Sequence, residues 1–236
     1  MARLEPISRA QFRCAAPGRM RHAPRALLPR HCHREAFVAV VLAGGYAEAG
    51  DTGHHRVAAG DVIFHQAFES HLDRFSVPGA EVLVLPLLDN WEGPQVGSID
   101  DPDAIVRASE TDPSEALERL VAAFTARAAA AADWPDTLAR LLQDDPGIRL
   151  ADWADATGLH PASLSRGFAQ TFGTTPAAYR LAQRTRRAIA AVTNSRAPLS
   201  QIAFDCGFAD QAHMTRSVAR IAGVTPGALR GDRVTV

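Results

Sequence analysis

At 236 residues, with 47% hydrophobic side chains and a net charge of −1, the chain has the length for two modest globular domains and not the composition of a fibrous or disordered one. No apolar run approaches the roughly 18 residues of a membrane-spanning helix. The amino-terminal residues lack the basic-then-apolar pattern of a secretion signal, so a cytoplasmic protein with no membrane partner is expected. Cys14, Cys32 and Cys206 are too few and too irregular for a disulfide framework and read as free thiols.

The small net charge hides an uneven split. The first 146 residues hold 14 Arg against 21 acidic groups, a net of −7, whereas residues 147–236 hold 11 Arg against 5 Asp, a net of +6. Lys is absent throughout. A basic tail suits a polyanion and an acidic front does not.

From Arg25 to Leu88 the chain reads as β-structure. Phe37 to Leu42 is an apolar run ending at Gly44-Gly45, Asp51-Thr52-Gly53 falls where a hairpin turn belongs, and Gly60-Asp61 precedes Val62-Ile63-Phe64. Glu81 to Leu85 is a further strand. Short strands at close turn spacing predict a small barrel or sandwich. Five of the nine histidines lie between residues 31 and 65. His31, His33 and Glu35 stand at i, i+2, i+4, which strand alternation places on one face with Cys32 on the other; His71 follows the 62–64 strand. His54 and His55 read as a solvated hairpin tip, and His65 as a partly exposed strand end, with membership of a pocket as the alternative. The spacing of Cys14 and Cys32 is not diagnostic of a redox pair; buried inert thiols are the commoner reading.

Residues 90–113, rich in Gly, Pro and Asp, read as a connection. Ser114 to Ala132 is expected to be a helix with Leu117, Leu120, Val121 and Phe124 as its apolar face, and Thr137 to Gln143 a short helix before the Asp144-Asp145-Pro146-Gly147 break. The expected division is 1–112 for effector sensing, 113–146 for linker helices and a candidate dimerisation segment, and 147–236 for DNA binding.

The tail predicts helices alone: Leu150–Thr157, Ala162–Phe172, Pro176–Val192, Ser200–Asp205, Gln211–Ala222 and a last one opened by Pro226. A short helix, a glycine turn and a longer helix occur twice, about 50 residues apart. Gly173-Thr174-Thr175-Pro176 and Gly223-Val224-Thr225-Pro226 echo each other at the same place in each half. A tight glycine turn lets a second helix project into the major groove, provided that its inner face is apolar. Leu164 with Phe168, and Met214 with Val218, supply the inner pairs at i, i+4; Ser163, Ser165, Arg166 and Gln170, and then Gln211, Thr215 and Arg216, lie on other faces. Arg can hold guanine bidentately and Gln adenine.

These residues, with Ile202-Ala203 separated from Gly207-Phe208 by three residues, the Gly223-to-Pro226 ending, and Pro176, Tyr179 and Arg184 on the middle helix, resemble the AraC/XylS transcriptional regulators over Leu150 to Arg230. The resemblance implies double-stranded DNA as partner. It places Ala162, Ser165 and Arg166 at base-reading positions of the first recognition helix, and Gln211, Ala212, Thr215 and Arg216 at those of the second. Arg180, Arg184, Arg186 and Arg187 lie on or near the linking helix, where phosphate contacts are expected, Arg184 being equally suited to a structural ion pair. The His-x-His of the front half and His71 resemble the cupin-like sensors often joined to such tails; Glu35 sits closer to the second His than in metal-holding cupins.

The fold class implied is α+β: an N-terminal cupin-like β-barrel, then an all-α domain with two helix-turn-helix units. A small-molecule or metal effector bound by His31, His33, His71 and Glu35 would control DNA binding, and a metal there would be zinc, iron, nickel or manganese. A metal-free pocket and a purely dimerising domain stay open beside it. A homodimer and RNA polymerase are further expected partners. No acid, nucleophile and base grouping can be assembled, so catalysis is not expected. The alternatives are a metal-dependent cupin enzyme, such as an oxygenase, carrying a DNA-binding tail, and a constitutive DNA-bending protein.

Overall fold

The computed structural model describes residues 18–88, 91–128, 133–144 and 147–231, so Cys14 lies outside the described residues. These fall into two compact units, divided between Ala132 and Asp133.

The front unit is an eight-stranded antiparallel sheet with two helices inserted before its last strand: β1 (Gly18–His22), β2 (Leu27–Cys32), β3 (Phe37–Ala49), β4 (His54–Ala58), β5 (Asp61–His65), β6 (Ser70–Pro86), β7 (Val96–Ser98), α1 (Pro102–Ser109), α2 (Pro113–Ala123) and β8 (Thr125–Ala126). The expected hairpin at Asp51-Thr52-Gly53 is present, joining β3 to β4 with Gly50 N donating to Gly53 O at 2.9 Å. The long strands β3 and β6 pair along most of their length and carry the sheet.

Alternation divides the apolar residues between two faces. Phe37, Ala39 and Val41 of β3 join Ile63 of β5 and Val82 and Val84 of β6 on one face. Val38, Val40, Val62, Phe64, Leu83 and Leu85 lie on the other, covered by Ile105 and Val106 of α1 and Ala116 and Leu120 of α2. Both long strands change parity part-way. β3 turns its odd positions inward up to Val41 and its even ones from Tyr46, while β6 turns His71, Asp73 and Phe75 inward and then Val82 and Val84. The pairing register shifts at the same level, between Val41 and Ala43 and between Gly44 and Tyr46.

Two expectations are corrected here. Residues 90–113 hold β7 and α1 and are not a plain connection. The Asp and Pro that suggested a loop are a helix start: Asp101 accepts from Ala104 N at 2.9 Å and Pro102 occupies the first turn. The helix expected over 114–132 begins at Pro113, capped by Asp112, and ends at Ala123. Phe124 turns extended to set its ring edge-on against Phe64 at 5.1 Å, and β8 then pairs with β7. Residues 129–132 lie outside the described residues. The apolar stripe considered for dimerisation is largely spent inside the unit, with Leu120 wholly buried and Val121 alone of the four clearly exposed.

The second unit contains α3 (Trp134–Asp144), α4 (Leu150–Thr157), α5 (Pro161–Phe172), α6 (Pro176–Asn194), α7 (Leu199–Asp205), α8 (Gln211–Ala222) and α9 (Pro226–Gly231). Helices α4, α5 and α8 end on left-handed Gly158, Gly173 and Gly223. Leu164, Phe168, Met214 and Val218 are buried, as their spacing requires. Tyr179 packs its ring against Phe168 and Phe172, with centroids 5.3 and 5.5 Å away, and its hydroxyl accepts from Gln143 Nε2 at 3.1 Å. Leu138, Ala139 and Leu142 bury the inner face of α3 in the same unit. Among the described residues no helix is long and apolar enough to cross a membrane.

Candidate functional site

The helical unit presents two similar short-helix, turn, long-helix arrangements, α4–α5 and α7–α8, joined by α6. The echo seen in the sequence is repeated in hydrogen bonds. Thr175 Oγ1 accepts from Ala178 N at 3.2 Å and Thr225 Oγ1 from Ala228 N at 3.4 Å, so each starts the next helix in the same way. The longer helix of each arrangement is also capped: Ala162 N donates to His160 Nδ1 at 3.2 Å and His213 N to Asp210 Oδ1 at 2.6 Å. In the second turn Gly207 has φ +74°, and the Arg184 Nε lies 3.6 Å from where a Cβ would stand. Arg184 thus packs over the turn, and burial together with Arg180 and Arg187 lowers its pKa.

On α5, Ala162, Ser165, Arg166 and Gln170 are exposed; on α8, Gln211, Ala212 and Arg216 are exposed and Thr215 is half-buried. Each long helix therefore offers a polar outer face bearing arginine: Arg166 on α5, and Arg216 with Arg220 on α8. On α6 the arginines differ. Arg187 is exposed and Arg186 half-buried, but Arg180, expected to meet phosphate, donates Nη2 to the Ile148 carbonyl at 2.6 Å and ties α6 to the segment before α4.

The front unit contains a cavity of about 370 Å³ whose lining includes His31, His33, Glu48, His65, His71 and Asp73, with apolar walls from Phe37, Phe75 and Val84 among others. Strand register gathers residues distant in sequence. His31 of β2 pairs with His71 of β6, and Glu48 of β3 with Asp73 of β6. His31, His33 and His71 converge as expected, with ring centroids 5.0, 4.3 and 5.3 Å apart. His31 donates Nδ1–H to the Pro29 carbonyl at 2.9 Å.

Glu35 does not join them. Strand β2 ends at Cys32, so alternation stops there, and Glu35 is exposed on the bend that follows. Three residues that the spacing did not single out take its place. His65, expected at a partly exposed strand end, is 2% exposed and stacks on Phe37 at 4.3 Å. Its Nε2 lies 3.5 Å from Glu48 Oε2, and His71 Nε2 lies 3.7 Å from Asp73 Oδ2. The change of parity in β3 hid Glu48; carrying alternation on from Tyr46 would have found it.

Burial, chiefly, with the neighbouring imidazoles adding to it, holds the pKa of both His65 and His71 well below the usual histidine value. Burial, with Asp73 and Glu69 adding, pushes Glu48 well up. The other buried acids nearby are engaged: Asp51 accepts from Arg30 Nη2 at 2.6 Å, and Glu69 accepts from Gln66 N and Gln95 Nε2, both at 2.8 Å. The Cys32 thiol is pushed up to about 11 by burial and Asp51, with Arg30 opposing, which leaves it a poor nucleophile.

A helix-turn-helix domain family matches residues 153–232. No curated protein sequence matches the chain. Among solved structures, a transcriptional regulator with an AraC-type DNA-binding domain from Chromobacterium violaceum is 26% identical, covering 42% of this chain and 89% of its own, with a TM-score of 0.38. ToxT from Vibrio cholerae O395 is 12% identical over 93% of this chain and 98% of its own, with a TM-score of 0.45. ToxT of Vibrio cholerae strain SCE256, solved with unsaturated fatty acid bound, is 12% identical over 90% and 93%, with a TM-score of 0.42.

Proposed function

Residues 153–232 form a helix-turn-helix domain of the AraC/XylS type, and we propose that the whole chain is a sequence-specific DNA-binding transcriptional regulator whose activity is set by an effector, a small molecule or metal ion, in the cavity of its front unit. The carrying observation is the repeated arrangement in the tail: two capped helices with apolar inner faces and polar outer faces, each bearing an exposed arginine, in a segment of net charge +6. Ser165, Arg166 and Gln170 on α5, and Gln211, Thr215 and Arg216 on α8, read base edges in successive major grooves, with Ala162 and Ala212 giving close apolar contact. Arg186 and Arg187 meet phosphate.

The partly open, mostly apolar cavity with convergent imidazoles supports the effector role of the front unit. An effector there acts only through different affinity for the DNA-competent and incompetent states, and DNA binding must in turn change effector affinity by the same factor. The test is selection of binding sites from randomised duplexes with the full chain. One enriched sequence should bind at least about 10³-fold more tightly than a scrambled duplex at the same salt. Equal affinity for both would overturn the regulator.

A further inference from the structure

We propose that Glu48, His65 and His71 hold one divalent transition-metal ion in the front cavity, with His31 and His33 beside it. This deepens the effector reading of the cavity and depends on it only for the regulatory consequence.

The donor atoms of Glu48, His65 and His71 lie within 4.8 Å of one another, on side chains exposed by 4% or less. Each carries a fully buried polar atom without a hydrogen-bond partner: Glu48 Oε1, His65 Nδ1 and His71 Nδ1. Buried polar atoms are ordinarily satisfied, so an orphan on each of the three residues marks a cluster short of partners. A cation satisfies a carboxylate and neutral imidazoles together. Two imidazoles and a carboxylate suit zinc, iron, nickel or manganese, whereas calcium and magnesium take oxygen sets.

Charge selects among the histidines. The donor atoms of His31, His33 and His71 also lie within 4.8 Å of one another, but that set has no anionic member. A buried dication needs compensating charge. Glu48 supplies one carboxylate directly, and Asp73, 3.7 Å from His71 Nε2, supplies a second from behind a ligand. Metal binding here would need Glu48 as carboxylate and His65 and His71 as neutral imidazoles, and burial disfavours the charged form of both rings.

The full chain, stripped with a chelator, is titrated with Co(II) and followed by visible d–d absorption and by equilibrium dialysis with elemental analysis. One Co(II) per chain is expected. Glu48→Gln and His65→Ala should each weaken it by about 10-fold or more, while the His31→Ala/His33→Ala double variant changes it little. Glu48→Gln preserves shape, and an unchanged circular dichroism spectrum establishes that a variant is folded. No Co(II) uptake overturns the site. So does uptake that is lost in the double variant yet kept in both Glu48→Gln and His65→Ala. Binding as described with no change in DNA affinity between stripped and loaded protein upholds the site and defeats the effector reading instead.

Discussion

Gly44 of β3 and Gly79 of β6 meet where both long strands change parity: a Cβ on Gly44 would stand 2.1 Å from the Gly79 carbonyl oxygen, and both residues have positive φ, +69° and +78°. Only glycine lets the strands approach so closely in this conformation. The reversal matters to the cavity, because it turns Glu48 inward on a strand whose first half faces its odd positions there. Gly44→Ala should cost about 2–4 kcal/mol, from left-handed strain and the clash together, measured by urea unfolding. A wild-type unfolding curve would contradict the reversal.

Glu48 and His65 set opposite pH limbs in the metal-free protein. His65 and His71 have folded pKa values lowered below the ordinary 6.5, so their stabilisation is complete above that pH and is lost as pH falls towards the folded values. Glu48 is raised above the ordinary 4.5, so its contribution is complete below that pH and is lost as pH rises through the folded value. The two oppose each other between 4.5 and 6.5. Glu48→Gln removes one limb only, so the stability of the chelated variant should rise with pH across this interval more steeply than that of wild type. Urea midpoints at the two ends of the interval measure the slopes, and equal slopes would contradict the assignment.

Arg216 and Arg187 separate reading from positioning. Arg216→Ala should lose about 1–3 kcal/mol of discrimination at one base step, while Arg187→Ala should weaken binding alike on all sequences and reduce the salt slope by about 1. Anisotropy titrations on matched and mismatched duplexes at several salt concentrations give both numbers. Uniform weakening by Arg216→Ala would remove it from base readout.

Much of the tail was legible because its signals are local. Pro at helix starts, glycine at helix ends and inner pairs at i, i+4 are written into Pro176, Gly173 and Leu164–Phe168 and need no distant partner to act. The tie from Arg180 to the Ile148 carbonyl was not legible, because that partner is a backbone atom 32 residues away. In the front unit, strands and the hairpin turn could be read, but the cavity could not. Its residues converge by β-sheet register, and a parity change reverses the alternation on which the reading relied. His31, His33, His65 and His71 stand out by residue type, whereas the inward turn of Glu48 follows only from the parity change. The run from Asp100 to Pro113 looked like loop because the residues that cap α1 and α2 are also turn residues.

Hydroxyl-radical footprinting of the full chain on its selected duplex tests the central claim most directly. Two protected patches on one side of the DNA, about 10–10.5 base pairs apart centre to centre, are predicted, with Arg166→Ala altering readout in one patch and Arg216→Ala in the other. A single patch, or uniform protection indifferent to both substitutions, would contradict two-helix reading.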